Sequence, residues 1–211
     1  MKELEFNNRK IKFRKWKVKD KKLLDKCQND VEKRKVYLYN CLETNTVLDL
    51  EEYNYVLTQI RDYSLDTELD FEVTCECGNT QNVSFRASDI VTYKNANYKP
   101  VIIGDICIEF GNVDDSDYEN IVINAQTMSE RYISDLAFHI KKINGSDVQY
   151  EQCIEFIENL DVSLYEKLFE EWELQRFKCN FLHSIKCEKC GKETVYNFED
   201  MKGFFPSSWS I

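Results

Sequence analysis

Two short segments of the chain each place a close pair of cysteines between two β-type runs. The first pair is Cys75 and Cys77, the second is Cys187 and Cys190, and a glycine follows each pair directly. This glycine permits the positive φ that a tight turn requires. Two such pairs supply the four thiolates that tetrahedral Zn²⁺ takes in structural sites. We therefore predict one structural zinc site in which a single ion joins two distant parts of the chain.

Other interpretations of the cysteine pairs stay open from the sequence. Reduced thiols in two tight turns would show the same pattern, and four thiolates also suit iron. A redox role is disfavoured because no βαβ pattern surrounds the Cys187–Cys190 pair. His183 lies four residues before Cys187 and is a candidate replacement ligand. The other cysteines lie in apolar surroundings and are expected to be buried thiols: Cys27, Cys41, Cys107, Cys153 and Cys179.

Nothing else in the sequence points to catalysis. A closed four-cysteine site has no open coordination position, so it stabilises the fold and does not catalyse. The chain has no Gly-x-Ser-x-Gly, phosphate loop, dinucleotide fingerprint or His-Glu-x-x-His motif. There are two histidines, and His139 is expected to be a packing or surface residue in mid-helix. An enzyme has only the abundant carboxylates in its favour, and we expect none.

Composition indicates a folded protein in a reducing compartment. The 211 residues suffice for one sizeable core or two small ones. Nine cysteines, an odd number, favour free thiols or metal ligation over disulfides in a chain whose N-terminus has no apolar signal core. No apolar run approaches the roughly 18 residues of a membrane span. We therefore expect a cytosolic protein without a membrane partner.

Charge is distributed unevenly along the chain. Residues 1–35 carry 14 Lys+Arg and 6 Asp+Glu, a net charge of +8, whereas the rest carry 14 and 32, a net charge of −18. Apolar and basic residues alternate in Ile11–Lys19, which predicts a strand with one buried face and one cationic face. Lys10, Lys12 and Arg14 on that face are candidate partner-binding residues. A nucleic-acid arm is the alternative, which the acidic remainder disfavours.

The sequence predicts β-hairpins and helices that together position the candidate residues. The predicted β-hairpins span residues 4–13, 69–85, 101–110 and 181–198, with a Gly104-Asp105 turn in the third. One helix is predicted to begin at Asp20 and break near Asn29, and another to begin at Asp49 or Leu50. The acidic segment 114–119 is interpreted as a helix N-terminus, and further helices are predicted over 128–143, 148–160 and 162–177.

This order of elements predicts an α+β fold of antiparallel β-hairpins with an inserted helical segment, in which one metal joins the two cysteine hairpins. We predict a single domain over residues 1–211. Its three sub-regions are a β-rich part with two helices over 1–115, a helical part over 116–180, and the second cysteine hairpin with an aromatic tail over 181–211. In the tail, Phe204 and Phe205 form an apolar tip that is either a core plug or a docking peptide.

Several segments together resemble the baseplate hub assembly proteins of T-even-type contractile-tailed phages. The similarity begins in Ile11–Leu24, where the family shows a Phe-Arg-aromatic (or Pro) element, then a Val-Lys-acidic step and a Lys-x-Leu helix start, and where this chain reads Phe-Arg-Lys-Trp, Val-Lys-Asp and Lys-Lys-Leu. It continues in Tyr53–Ser64, which ends in Arg-x-x-Ser, and then in the two cysteine pairs and a Gly-x-x-Phe-Phe-like tail. The ends of the chain match well and residues 86–147 poorly. The shortened Cys-x-Cys of the first pair and Asp66 depart from the family's pattern.

The resemblance implies a late, structural phage protein without enzymatic activity. It would be a component of the central hub of the tail baseplate, or a factor that assembles the hub, and it would act by docking other proteins. The implied partners are other baseplate hub proteins, with a homo-oligomer as a further option. The implied location is the host cytoplasm during assembly and the baseplate of the virion tail. The competing hypothesis is a zinc-ribbon nucleic-acid-binding protein.

Overall fold

The structure is a computed structural model that describes residues 1–198. The candidate residues Phe204 and Phe205 lie outside the described residues. The chain forms two compact units: unit one contains residues 1–44, 52–94 and those from 179 onward, and unit two contains 45–51 and 95–178. These boundaries do not follow the three predicted sub-regions, and the single domain over 1–211 stays a prediction.

Helices and strands alternate along the described chain. The helices are α1 (Val18–Leu24), α2 (Asp30–Tyr37), α3 (Leu50–Ser64), α4 (Tyr118–Ile123), α5 (Met128–His139), α6 (Tyr150–Glu158) and α7 (Val162–Gln175). The strands are β1 (Lys2–Phe6), β2 (Arg9–Phe13), β3 (Leu69–Thr74), β4 (Thr80–Phe85), β5 (Thr92–Lys94), β6 (Val101–Ile103), β7 (Ile106–Phe110), β8 (Ile140–Ile143), β9 (Ser146–Asp147), β10 (Lys178–Asn180), β11 (Leu182–Lys186) and β12 (Glu193–Asn197).

Unit one is built from antiparallel hairpins, the short helices α1 and α2, and most of α3, which is the longest helix within residues 1–198. Its hairpins are β1–β2, β3–β4 and β11–β12, each a two-stranded sheet. The first turn uses Asn7 and Asn8, both at positive φ, which suits a tight hairpin turn. The buried side chain of Asn7 also donates a hydrogen bond to Glu52 of α3, at 2.5 Å. This contact fixes the first hairpin against α3.

Unit two is a four-stranded antiparallel sheet, in the order β6-β7-β8-β9, packed with helices. Leu168 and Trp172 of α7 are fully buried against the core. The alternating burial of β6, with Val101 and Ile103 inside and Ile102 outside, aims one face of the sheet at that core. The buried core cluster is Val101, Ile103, Ile108, Phe110, Leu136, Ala137, Ile140, Cys153, Ile157, Leu168 and Trp172.

The mixed fold of helices and antiparallel hairpins is confirmed, and one helix prediction is wrong. The helix predicted over 128–143 ends at His139, and Ile140–Ile143 form β8, which pairs with β7. The reason is non-local: β7 offers a partner strand, and Asn144 and Gly145 at positive φ turn the chain back into β9. Within residues 1–198, no helix is both long and apolar enough to span a bilayer.

The first predicted helix is shifted rather than absent. Asp20 lies at the third position of α1 and not at its N-cap, because its carboxylate accepts a hydrogen bond from the backbone N–H of Lys17, at 2.7 Å. The predicted break falls where expected, since the side chain of Asn29 caps α2 by accepting from Glu32 N at 2.9 Å. The helix predicted from Asp49 or Leu50 is α3.

Candidate metal centre

Four cysteine sulfurs converge at the tips of the β3–β4 and β11–β12 hairpins. All four ligand atoms of Cys75, Cys77, Cys187 and Cys190, here the cysteine cluster, lie within 4.8 Å of one another. The Sγ atoms of Cys75 and Cys190, and of Cys77 and Cys187, are 3.7 Å apart. Tetrahedral zinc with Zn–S bonds of about 2.3 Å separates its sulfurs by about 3.8 Å, whereas bonded disulfide sulfurs lie about 2.05 Å apart. The spacing therefore fits a zinc ion, and the predicted convergence is confirmed.

Each cysteine pair lies in a turn that a hydrogen bond from the following glycine to the first cysteine closes, over three residues in the first pair and four in the second. Gly78 N donates to Cys75 O at 2.8 Å, and Gly191 N donates to Cys187 O at 2.9 Å. Both glycines have positive φ, +80° and +73°. The first cysteine of each pair is buried and the second is exposed. The shorter Cys75-x-Cys77 spacing thus presents its sulfurs in the same arrangement as the Cys-x-x-Cys of the second pair.

Polar contacts tie the two hairpins together beside the sulfurs. The side-chain amide of Gln81 donates to Lys186 O at 3.2 Å and accepts from Glu188 N at 3.0 Å. Lys192 forms an ion pair with Glu76 across the two turns, at 2.5 Å. These bonds cross between hairpins that are distant in sequence, so they add to any metal in aligning the two cysteine pairs.

Aromatic side chains pack the hairpins further from the sulfurs. The rings of Phe71 and Phe198 lie 4.5 Å apart between centroids, and those of Phe85 and His183 lie 4.6 Å apart. The Tyr196 hydroxyl donates to Thr74 O at 3.1 Å. His183 is therefore a packing residue against Phe85, and it is not among the residues grouped as possible ligands within the described chain.

Thiol acidity is unequal within the cysteine cluster. Hydrogen bonds from the backbone N–H groups of Cys190 and Lys189 outweigh burial and lower the pKa of Cys187 to about 6. At Cys75 the N–H of Cys77 also favours the thiolate, but burial and hydrogen bonds with the neighbouring thiols raise its pKa to about 11. The backbone N–H groups of the second turn thus favour the thiolate at Cys187, whereas burial and the neighbouring thiols disfavour it at Cys75. A bound divalent cation would displace the remaining protons.

The candidate partner-binding residues on β2 make intramolecular ion pairs. Lys10 Nζ lies 3.1 Å from Glu3 and 2.7 Å from Glu5, both on the paired strand β1. Lys12 Nζ lies 4.0 Å from both Glu3 and Glu43. The cationic face predicted for this strand is thus a mixed-charge face, and the alternating glutamates of β1 are the sequence signal that indicates it.

Arg14 has a different role in the structure. Its guanidinium binds Asp20 through two hydrogen bonds of 2.7 and 2.8 Å, and donates a third to Asn40 O. Burial raises the pKa of Asp20, but the hydrogen bonds from Arg14 and from the backbone of Lys17 outweigh it and lower that pKa below its usual value. Arg14 therefore anchors the start of α1 to β2 in addition to any contact with a partner.

A buried polar network in unit two was not identified from the sequence. Asp135 accepts hydrogen bonds from the Tyr118 hydroxyl at 2.8 Å and from Arg176 at 3.1 Å. The His139 ring lies 3.4 Å from Asp49 at Nε2 and 2.8 Å from Asp135 O at Nδ1. All five side chains are buried, and burial, reinforced by Asp135, holds the pKa of Tyr118 well above its usual value. We name this the buried polar network, and its closure from solvent fits a structural role.

Comparison with known proteins identifies the family. The family model described as T4 bacteriophage base plate protein matches residues 1–206, a span that includes both cysteine pairs. No curated protein and no solved structure matches the chain. The resemblance noted in the sequence is thereby confirmed at the level of the family. The chain belongs to the T4 bacteriophage base plate protein family.

Proposed function

We propose that this baseplate protein is a component of the central hub, or a factor that assembles the hub, and that it acts by docking other hub proteins. The observation that carries the proposal is the family match over residues 1–206. The chemistry of the cysteine cluster agrees with it, because four sulfur ligands fill a tetrahedral ion and leave no position for a substrate. The protein would contribute surfaces, and the metal would hold those surfaces in place.

Zinc is the proposed structural cofactor. Four sulfurs at the spacing of a tetrahedral site favour zinc over oxygen-preferring ions such as Mg²⁺. The ligands would be Cys75, Cys77, Cys187 and Cys190, and they would link the β3–β4 hairpin to the β11–β12 hairpin. Zinc binding would then contribute directly to the folding free energy of unit one.

The proposed partner contacts are the exposed face of β2 and, outside the described residues, the aromatic tail. Lys10 and Lys12 keep 60% and 52% of their side-chain area exposed, so their ion pairs are open to competition from a charged partner. Arg14 lies at the end of the same strand. Phe204 and Phe205 would add an apolar anchor of the kind that often dominates binding energy.

The test is a pull-down of hub proteins from phage-infected cells with tagged full-length protein. The double reversal Lys10→Glu/Lys12→Glu is expected to lower recovery of identified hub proteins about tenfold. Arg14 is left intact because its loss would also disturb α1. The matched control is Lys22→Glu/Lys26→Glu, which makes the same charge change on and just after α1, at exposed lysines.

Equal recovery of hub proteins by both double variants and wild type would remove the β2 face from the proposal. A separate variant, Phe204→Ala/Phe205→Ala, tests the tail in the same assay. Mass spectrometry of purified particles distinguishes the two roles, because a hub component remains in the finished virion and an assembly factor does not. Sedimentation of the purified protein reports whether it forms a homo-oligomer.

The alternative is a zinc-ribbon protein that binds nucleic acid through its basic N-terminal region. The observation in its favour is the excess of 14 Lys+Arg over 6 Asp+Glu in residues 1–35. The carboxylates that pair with Lys10, Lys12 and Arg14 reduce the charge available to phosphates. An electrophoretic shift that weakens steeply with salt would support this alternative over the docking role.

A further inference from the structure

The outer edge of β6 in unit two is open. This strand has one neighbour in the sheet, β7, and its Ile102 lies opposite Cys107. Cys107 turns its backbone away from β6, because its N–H donates to the Asn144 side chain at 2.9 Å and its C=O accepts from Asn144 N at 2.7 Å. Ile102 and Cys107 therefore form a non-hydrogen-bonded pair of the antiparallel ladder. The backbone N–H and C=O of Ile102 consequently point away from β7.

A groove of about 430 Å³ lies along this edge. One wall is formed by residues 99–103, and the other by one face of α7. Gln175 closes one end, since its side chain accepts from Lys99 N at 2.6 Å and its backbone accepts from Asn97 N at 2.8 Å. The residues of α7 that line the groove are Lys167, Glu170, Glu171 and Gln175.

The groove has the two parts that strand-addition sites use. Outward backbone groups on an edge strand provide hydrogen bonds, and the helix beside them provides a wall for side chains. Ile102 adds an apolar contact, because 74% of its surface is exposed. An exposed apolar edge strand without a covering element invites pairing with another chain.

Charge indicates what kind of chain fits. Unit two carries 7 Lys+Arg and 19 Asp+Glu, a net charge of −12, whereas unit one carries 21 and 19, a net charge of +2. On α6, on α7 and in the three-residue connection between them, seven exposed carboxylates form no ion pair within residues 1–198: Glu151, Glu155, Glu158, Asp161, Glu166, Glu170 and Glu171. The groove itself is lined by Lys99 and Lys167 as well as Glu170 and Glu171, so the argument rests on the net charge of the unit. A second copy of unit two would bring the same negative charge, and the field of the unit therefore favours a basic partner.

We propose that an extended, basic segment of another protein adds as a strand to the edge of β6. Its backbone pairs with Ile102, an apolar side chain contacts the exposed Ile102 side chain, and Lys or Arg side chains reach Glu170 and Glu171. Alternation along the added strand places apolar and basic side chains on opposite faces. This surface is separate from the β2 face, and the proposal does not depend on the hub assignment.

The test uses an array of overlapping peptides that covers the virion proteins of the same phage, probed with the full-length protein. Ile102→Pro removes the outward N–H, and an edge strand tolerates proline where that N–H faces solvent. Ile102→Val is the matched control, since it keeps the N–H and an apolar side chain. Peptides rich in Lys, Arg and β-branched residues are expected to bind wild type and Ile102→Val, and to bind Ile102→Pro about tenfold more weakly in solution.

A second pair of variants tests the proposal without a change in the backbone of β6. Glu170→Lys/Glu171→Lys should weaken the same peptides about tenfold, while Glu151→Lys/Glu155→Lys, with the same charge change on α6, should weaken them about twofold. Two results would overturn the proposal. One is that every peptide that binds wild type binds Ile102→Pro or Glu170→Lys/Glu171→Lys equally well. The other is a wild-type dimer that Ile102→Pro dissociates, which would make a second copy the occupant.

Discussion

The two units hold themselves together by different means. The hairpins of unit one are two-stranded sheets that stand beside α1, α2 and most of α3, and an isolated hairpin is marginally stable in water. Two of its hairpins meet at the cysteine cluster, so a bound metal would cross-link them. Unit two has a four-stranded sheet, a continuous apolar core and the buried polar network. Unit one contains more residues than unit two, but its hairpins are separate two-stranded sheets. The comparison indicates that a cross-link stabilises such hairpins, whereas the strands of unit two stabilise one another within a single sheet.

The two polar centres also differ in access to solvent. Cys77 and Cys190 of the cysteine cluster are exposed, so reagents in solution can reach the cluster. His139 and Tyr118 of the buried polar network are fully buried. Chemical reagents should therefore disturb unit one selectively, and only mutation should reach the network in unit two.

Removal of the metal should have the largest effect. A strong zinc chelator, or Cys187→Ser, is expected to abolish hydrogen-exchange protection in β3, β4, β11 and β12 and to leave β6–β8 protected. Structural zinc contributes about 10–16 kcal/mol to small zinc domains at neutral pH. Cys107→Ser, at a half-buried cysteine outside the cluster, is the control and should keep both units protected. Equal loss of protection in both units would refute the comparison.

Breaking the buried polar network should affect unit two instead. Arg176→Met leaves Asp135 buried without its cation, and such a loss costs about 3–5 kcal/mol. We expect lower hydrogen-exchange protection in α5 and α7 with unchanged zinc content. Lys178→Met is the control, because Lys178 is 37% exposed and its pair with Glu173 should contribute less than about 1 kcal/mol. A similar loss of hydrogen-exchange protection in Arg176→Met and Lys178→Met would show that burial of the ion pair does not determine how much its removal destabilises unit two.

The Arg14–Asp20 pair should give a smaller, pH-dependent effect within unit one. The pKa of Asp20 is lowered in the folded protein, so the pair stabilises above the unfolded pKa of about 3.9 and loses its effect as pH falls through the lower, folded value. Asp20→Asn should cost about 1.5–3 kcal/mol at neutral pH in urea unfolding. That difference from wild type should shrink in acid.

The exposed pair of Lys21 and Asp25 provides the control for this prediction. Asp25 is 55% exposed, so Asp25→Asn should change the free energy of unfolding by less than about 1 kcal/mol. An Asp20→Asn effect that stays constant from neutral pH into acid would show that the charge of Asp20 does not carry the stabilisation.

The features of the fold and the candidate site that the sequence predicts correctly are those that local patterns determine. The cysteine pairs with their glycines, and the Gly104-Asp105 turn, are short signals that need no knowledge of distant residues. The buried polar network was missed because it joins Asp49, Asp135 and Arg176 across the chain. Strand β8 was missed for the same reason, since only the partner strand β7 distinguishes Ile140–Ile143 from a further turn of α5.

The central claim is that one zinc ion joins the two cysteine hairpins of unit one. X-ray absorption at the zinc edge, on metal-quantified full-length protein, tests it most directly. The claim predicts one zinc per chain with four sulfur ligands at about 2.3 Å, and loss of that zinc in both Cys75→Ser and Cys187→Ser. Two ions per chain with two sulfurs each, or zinc retained by either variant, would contradict it.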